Sequence, residues 1–186
     1  MKRIMTVLAV AGLCAAAAKP AMAQGTTLGI GVGITNPMSD WGDKNTIGDK
    51  MGFHLGVGGS FALGTAPVRL RVEGTYTQTS HQTGVDGNTK LIGGMVSLVY
   101  PFATAGKIKP YILGGVGLYN NKFSANGADT SKTGVGFGGG AGLRFPMASA
   151  SVFVEARYLT MKAFDLTWAQ LPVTVGLSFP MGGKKK

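Results

Sequence analysis

The sequence predicts an all-β fold, an eight-stranded antiparallel transmembrane up-and-down β-barrel. Three observations lead there. Eight stretches alternate apolar residues with polar or small ones at period two, and no 3.6-residue period competes with them. The connections between the stretches alternate between short and long. Every charged side chain inside the stretches lies on the parity opposite the aliphatic stripe.

The stretches are residues 27–35, 52–63, 68–77, 91–102, 110–119, 134–145, 152–160 and 171–179. Most are nine to twelve residues long, which suits a tilted strand crossing a bilayer in ~9–11 residues. Residues 64–67, 103–109 and 146–151 form short connections. Residues 36–51, 78–90, 120–133 and 161–170 form longer, polar ones. Short turns on one rim and long loops on the other are the pattern of membrane barrels, with the short turns periplasmic. An even strand count then puts both chain ends on the short-turn side.

The faces of the strands decide between a soluble and a lipid-facing sheet. In the third stretch, Val68, Leu70, Val72 and Tyr76 share one face. Arg69, Arg71, Glu73 and Thr75 share the other, because neighbours along a strand point to opposite sides. The seventh stretch repeats the arrangement: Val152, Val154, Ala156 and Tyr158 on one face, Glu155 and Arg157 on the other. Arg144 in the sixth stretch completes the set of six charges. A soluble barrel would need many more charges toward water. Here the non-aliphatic face is small instead, with Gly29, Gly31 and Gly33, with His54, Gly56, Gly58 and Ser60, and with Gly136, Gly138, Gly140 and Gly142. The interior of an eight-stranded barrel is only wide enough to be filled by side chains. Glycine on some walls therefore leaves room for arginines from others. Glycine is 31 of 186 residues, well above the usual ~7%, and it falls inside the strands rather than in linkers.

Arg71 and Glu73 are expected to face Glu155 and Arg157 across the lumen, because the third and seventh strands stand on opposite walls. Arg69 and Arg144 are expected nearer the short-turn mouth. Four arginines against two glutamates leave two positive charges for water, loop acids or a bound anion. The descending strands end in aromatics on the aliphatic parity: Phe61, Tyr100 with Phe102, Phe145 and Phe179. Four such ends at one level predict an aromatic girdle at the headgroups. Phe53, Tyr76, Phe137 and Tyr158, with Trp41 and Trp168 in nearby loops, are the candidates for a second girdle.

The chain begins with a basic Lys2-Arg3, an apolar run over residues 4–18 and a small-x-small site at Ala21-Met22-Ala23. Residues 1–23 thus read as a signal peptide removed before Gln24. Cys14, the single cysteine, leaves with it. The mature chain then has no thiol for a disulfide or a thiolate metal site. Residues 24–179, part of a mature chain of about 163 residues, form one barrel domain. Residues 180–186 form a basic tail. Removing Lys2, Arg3 and Lys19 from the formal +10 leaves +7. No later stretch is long and apolar enough for a membrane helix.

The leader, the eight strands, the alternating turns, the Val-Glu-Ala-Arg-Tyr of residues 154–158 and the Pro-Val-Thr-Val-Gly-Leu-Ser-Phe of residues 172–179 resemble the small eight-stranded outer-membrane barrels of the OmpA/OmpX type, the outer-membrane β-barrel domain family. The resemblance covers essentially the whole mature chain. It implies the outer membrane of a Gram-negative-type bacterium. The implied partners are outer-membrane lipid, lipopolysaccharide and the barrel insertion machinery, with no nucleic acid. Such barrels usually end on the terminal aromatic that the insertion machinery reads. This chain departs from that pattern, because Pro-Met-Gly-Gly-Lys-Lys-Lys follows Phe179.

No catalytic residue, cofactor or metal is expected. Ser80 and His81 are adjacent, so a strand would point them apart. Asp40, Asp43 and Asp49 lack calcium-loop spacing, are offset by Lys44 and Lys50, and read as a solvated loop. The glycine run of residues 134–142 has no Lys-Ser/Thr and no following helix, so it reads as strand packing rather than a phosphate loop. The expected function is a plugged scaffold that displays extracellular loops whose ligand these patterns do not specify. The alternative is a narrow porin-like channel or carrier for small solutes.

Overall fold

The computed structural model describes residues 25–181 apart from 44, 46, 47, 83–86, 126, 127 and 164. The leader with Cys14, Lys44 and the tail's residues 182–186 lie outside the described residues.

Eight strands follow in order: β1 (Thr26–Ser39), β2 (Gly52–Ala62), β3 (Arg69–Ser80), β4 (Gly87–Pro101), β5 (Lys109–Ala125), β6 (Ala128–Pro146), β7 (Ser151–Ala163) and β8 (Leu166–Met181). Each pairs antiparallel with the next, and β1 pairs with β8, so the sheet closes on itself. Closure satisfies every strand edge within the sheet, which is what hydrocarbon demands of a spanning backbone. The left-handed backbone region is used at Gly64, φ 58°, between β2 and β3, and at Asp165, φ 58°, between β7 and β8. Glycine adopts this conformation freely, and Asp is among the residues that tolerate it.

The strands outrun the sequence reading on the long-hairpin side. Residues 120–133, expected as loop, are mostly the ends of β5 and β6, paired out to Ala125 opposite Ala128. Residues 161–170 are likewise the ends of β7 and β8, paired to Ala163 opposite Leu166. The reason is physical. The apolar–polar alternation reports only the lipid-embedded part of a strand. Beyond it the ladder continues as a polar ribbon, with Asn120 donating to Thr133 at 3.0 Å and Lys122 paired to Asp129 at 2.6 Å. The Lys122 bond first, and next one donated by Ser124 Oγ at 2.6 Å, hold the exposed Asp129 carboxyl below its ordinary range. On the short-turn side, Phe102 falls just past β4, with its N–H donated to the Pro110 carbonyl at 2.9 Å. β8 runs on through Pro180 and Met181, which face Thr27 and Thr26 of β1.

The two faces of the sheet separate by chemistry. Ile30, Val32, Leu55, Val57, Val96, Leu98, Val116 and Val175 stand outward, 41–62% exposed. A continuous aliphatic wall of this size suits hydrocarbon rather than water. Inside, glycine sets the clearances. A Cβ on Gly142 would lie 2.4 Å from the Tyr111 ring, one on Gly176 2.4 Å from the Phe153 ring, and one on Gly140 2.8 Å from Arg157 Cγ. Each of these glycines is the space that a large lumen side chain occupies.

Val96 pairs with Val72 and Val116 in the middle of the aliphatic wall. Val96→Arg should destabilise the refolded barrel by ~2–4 kcal/mol in denaturant unfolding from lipid bilayers. Unfolding indistinguishable from wild type would reverse the assignment of faces.

Candidate functional site in the barrel lumen

The charged pair motifs of β3 and β7 meet in the interior. Arg71 Nη1 lies 2.6 Å from Glu155 Oε2 and 3.8 Å from Glu73 Oε2. Arg157 Nη2 lies 2.6 Å from Glu73 Oε1, and its Nε lies 3.0 Å from Glu155 Oε1. Each arginine thus touches both carboxylates and each carboxylate both arginines, and the Glu155 side chain is only 1% exposed. The fold brings them there because β3 and β7 are four positions apart in a closed ring of eight. Glycine flanks them, with Gly58 opposite Glu73 and Gly140 opposite Arg157.

Tyr111 of β5 belongs to the same cluster, although it was not among the residues the sequence singled out. Its hydroxyl donates to Glu155 Oε2 at 2.8 Å. Its ring lies 5.6 Å from the Arg71 guanidinium and 5.7 Å from that of Arg144, within the range of cation–π contact. Its signal was masked because β5 is apolar on both parities, Tyr111, Leu113 and Tyr119 inside and Ile112, Val116 and Leu118 outside.

The remaining two arginines sit toward the short-turn mouth. Arg69 donates from Nε to Ser60 Oγ at 2.9 Å, and from Nη2 to the carbonyls of Ser60, at 3.1 Å, and Gly25. Arg144 stands beside Tyr111, and its buried Nε has no hydrogen-bond partner among the described residues. Between the network and the walls of β1, β2 and β8 lies a space of about 40 Å³, lined among others by Gly29, Gly58, Arg71, Phe153 and Ser178. Such a volume holds roughly two or three waters.

Outward from the charges the filling becomes apolar. Trp41, Leu91, Met95, Tyr119, Leu159, Met161, Ala163 and Trp168 form one buried cluster. Arg157 Nη1 reaches the Met95 sulfur at 3.9 Å, where charge and cluster meet. Trp41 and Trp168, expected near a lipid interface, are instead 1% and 2% exposed, with ring centroids 5.4 Å apart inside the barrel. The tryptophans are large and each carries one N–H, and both find acceptors here: Trp41 Nε1 donates to Asp49 Oδ2 at 2.7 Å, and Trp168 Nε1 to the Ala163 carbonyl at 2.9 Å. Burial with a satisfied donor outcompetes the headgroup position.

Asp49 corrects the solvated-loop reading of residues 36–51. Its side chain is fully buried and accepts from Trp41, from Thr79 Oγ1 at 2.5 Å and from His81 Nδ1 at 2.5 Å. His81 Nε2 lies 2.9 Å from the Ser124 carbonyl, and its ring packs 4.6 Å from Phe123. Asp40 accepts the Thr167 N–H at 2.7 Å. The first loop is thereby tied down onto β3, β5 and β8. Nothing in a local pattern announces this, because Asp49 and His81 are 32 residues apart. Asp43 is exposed and is the member of the trio that behaves as read. His54 is buried with Nδ1 2.9 Å from Thr77 Oγ1. Among the described residues no group of three His, Asp or Glu could hold a metal ion.

The aromatics at the ends of the descending strands stand on the outer wall. Tyr100, Phe102 and Phe179 are exposed, Phe61 and Phe145 are half-exposed, and Tyr100 meets Phe102 edge-on at 5.3 Å.

A closed up-and-down barrel with an aliphatic outer wall and its charges inside defines an integral protein of the bacterial outer membrane. The chain belongs to the outer membrane protein beta-barrel domain family, whose model matches residues 5–179. Solved structures agree on the fold. Neisserial surface protein A superposes with a TM-score of 0.66 at 18% identity, covering 84% of this chain and 97% of its own. A major outer membrane protein from Thermus thermophilus gives 0.55 at 9% identity, covering 84% and 99%. The outer membrane enzyme PagL gives 0.51 at 21% identity, covering 83% and 99%. No curated protein matches the chain significantly.

Removing one charge from a buried ion cluster costs about 3–5 kcal/mol when the partner is left unpaired. Glu155→Gln strands Arg71 and Arg157 on Glu73 alone. It should lower the unfolding temperature clearly, by the low end of that range, because water reaches the adjoining space. Melting in detergent micelles checks this, and an unchanged midpoint would mean that the cluster does not hold the walls together.

Proposed function

We propose that this protein is a closed outer-membrane scaffold, with a lumen plugged along its length and polar hairpins presented outside. The observation that supports the reading is the layered filling of the lumen: the Arg71–Glu73–Glu155–Arg157 cluster, then the apolar cluster of Tyr119 with Trp41 and Trp168, under the loop fixed by Asp49. Among the described residues, the space of about 40 Å³ beside the charges holds only a few waters. A narrow channel or carrier for small solutes is the competing reading, and it requires these layers to part.

The outer wall supports a membrane-embedded anchor for this scaffold. Phe61, Tyr100, Phe102, Phe145 and Phe179 serve as the periplasmic girdle, with rings at the headgroups. Lys90, Lys122 and Lys162 lie on the outward parity of the long hairpins, where they attract anionic lipopolysaccharide through simple charge. Insertion by the barrel assembly machinery reads the Phe179 end of β8, and the ladder through Met181 requires that signal to be tolerated inside a longer strand.

The scaffold reading is also a non-enzymatic one. PagL is an enzyme, but its likeness extends to the fold alone. Here Ser80 is exposed while His81 is buried, and both His81 ring nitrogens are taken up by Asp49 and the Ser124 carbonyl. The His54–Thr77 pair is buried at 2% and 1% exposure, out of reach of an envelope lipid.

Planar-bilayer recording tests the proposal. Wild type should give no stepped conductance. Trp41→Ala with Trp168→Ala, which removes two of the largest lumen side chains, should open intermittent steps and lower thermal stability, because large-to-small core changes cost about 3–5 kcal/mol each. Regular steps from the wild-type protein would favour the channel.

A further inference from the structure

The charge inside the barrel does not balance. The two carboxylates, Glu73 and Glu155, are fully engaged by Arg71 and Arg157. That leaves Arg69 and Arg144 without a carboxylate, and Lys109 lines the same small cavity with them. Lys109 spends one donor on the Thr104 carbonyl at 2.5 Å. Arg69 spends its donors on Ser60 and Gly25. Arg144 makes no hydrogen bond to any described residue, and its buried Nε is unsatisfied. A guanidinium has five N–H donors and cannot shed its proton. Held against the Tyr111 ring, Arg144 lines two spaces, the one it shares with Arg69 and Lys109 and the one bordered by Thr27, Ser60 and Ser178.

We propose that the short-turn mouth of the lumen is a binding site for one small oxyanion, a free phosphate or carboxylate, clamped by Arg144 and Arg69 with Lys109 as the third cation. The geometry suits that class. A planar guanidinium forks to two oxygens of a carboxylate or phosphate, and the partly desolvated walls weaken the competition from water. The space that the three cations share measures about 20 Å³, and Arg144 also borders the space of about 40 Å³ next to the ion cluster, so together they admit an anion of a few heavy atoms and exclude a sugar or a peptide. The donors point into the lumen, not onto the lipid wall, so the anion comes from the periplasmic solution rather than from a phospholipid headgroup. Such an anion would neutralise the excess charge where neither glutamate reaches.

The test uses the full refolded barrel in a phosphate-free maltoside detergent, with inorganic phosphate and acetate as probes at constant ionic strength. The Nε–H resonances of Arg69 and Arg144 should shift saturably with either anion, and phosphate should broaden in its own spectrum. Arg144→Gln should weaken the phosphate affinity by about tenfold or more, the loss of a charge-assisted contact. Lys132→Gln, on the opposite rim, should leave it unchanged. Adding anionic phospholipid micelles without free phosphate distinguishes the source, because the signals should stay put. Shifts that grow linearly with salt, an Arg69→Gln/Arg144→Gln variant that still binds, or shifts produced by the phospholipid would each overturn the proposal. Where the double variant does not refold, the saturation test on wild type decides alone.

Discussion

A barrel of eight strands in a bilayer is constrained from both sides of its wall. Outside, hydrocarbon accepts no charge and leaves aliphatic residues unopposed. Inside, the cylinder is too narrow to hold bulk water and too wide to be closed by backbone alone. The sequence must therefore place every strong polar group inward and also supply the volume to fill the space those groups share. The Arg71–Glu155 contact at 2.6 Å is where both demands are met, since it joins opposite walls and neutralises two charges that lipid could not solvate.

Filling and clearance are two halves of one arrangement. The sixth strand contributes mostly absence: Gly136, Gly138, Gly140 and Gly142 stand where Tyr119, Met95, Arg157 and Tyr111 need room. A wall of glycine in a soluble sheet would be an entropic loss with nothing in return. Here it lets side chains from β4, β5 and β7 lie over the sixth strand, and the lumen passes from charged to apolar toward the hairpin rim.

The extent to which this was legible follows from how each residue acts. Fold, closure and the assignment of the aliphatic wall rest on period-two patterning, which is local and survives in the sequence. Arg71, Glu73, Glu155 and Arg157 were visible because a charge on a sparse strand stands out, and the ring topology supplied the distance between them. Tyr111 and Met95 were not, because apolar residues on both parities of β4 and β5 carry no label for inside. Trp41, Trp168 and Asp49 were misplaced for another reason. A loop has no period, and its buried contacts run to β3, β5 and β8, elements that local reading treats as separate. The outer ends of β5 to β8 escaped because hydropathy stops marking a strand where the bilayer stops.

The pairing of Thr26 with Met181 reaches from the first strand to the last. A hairpin can form as soon as its two strands exist, but this seam cannot form until the whole chain has arrived. Until then β1 and β8 are open edges, each a row of unpaired donors and acceptors that lipid will not satisfy and that another chain could. The final association is thus also the one of greatest sequence separation, which makes it slow. The protein depends on being kept apart from its own copies until the ring is shut. Once it is shut, no single strand can leave without reopening two ladders.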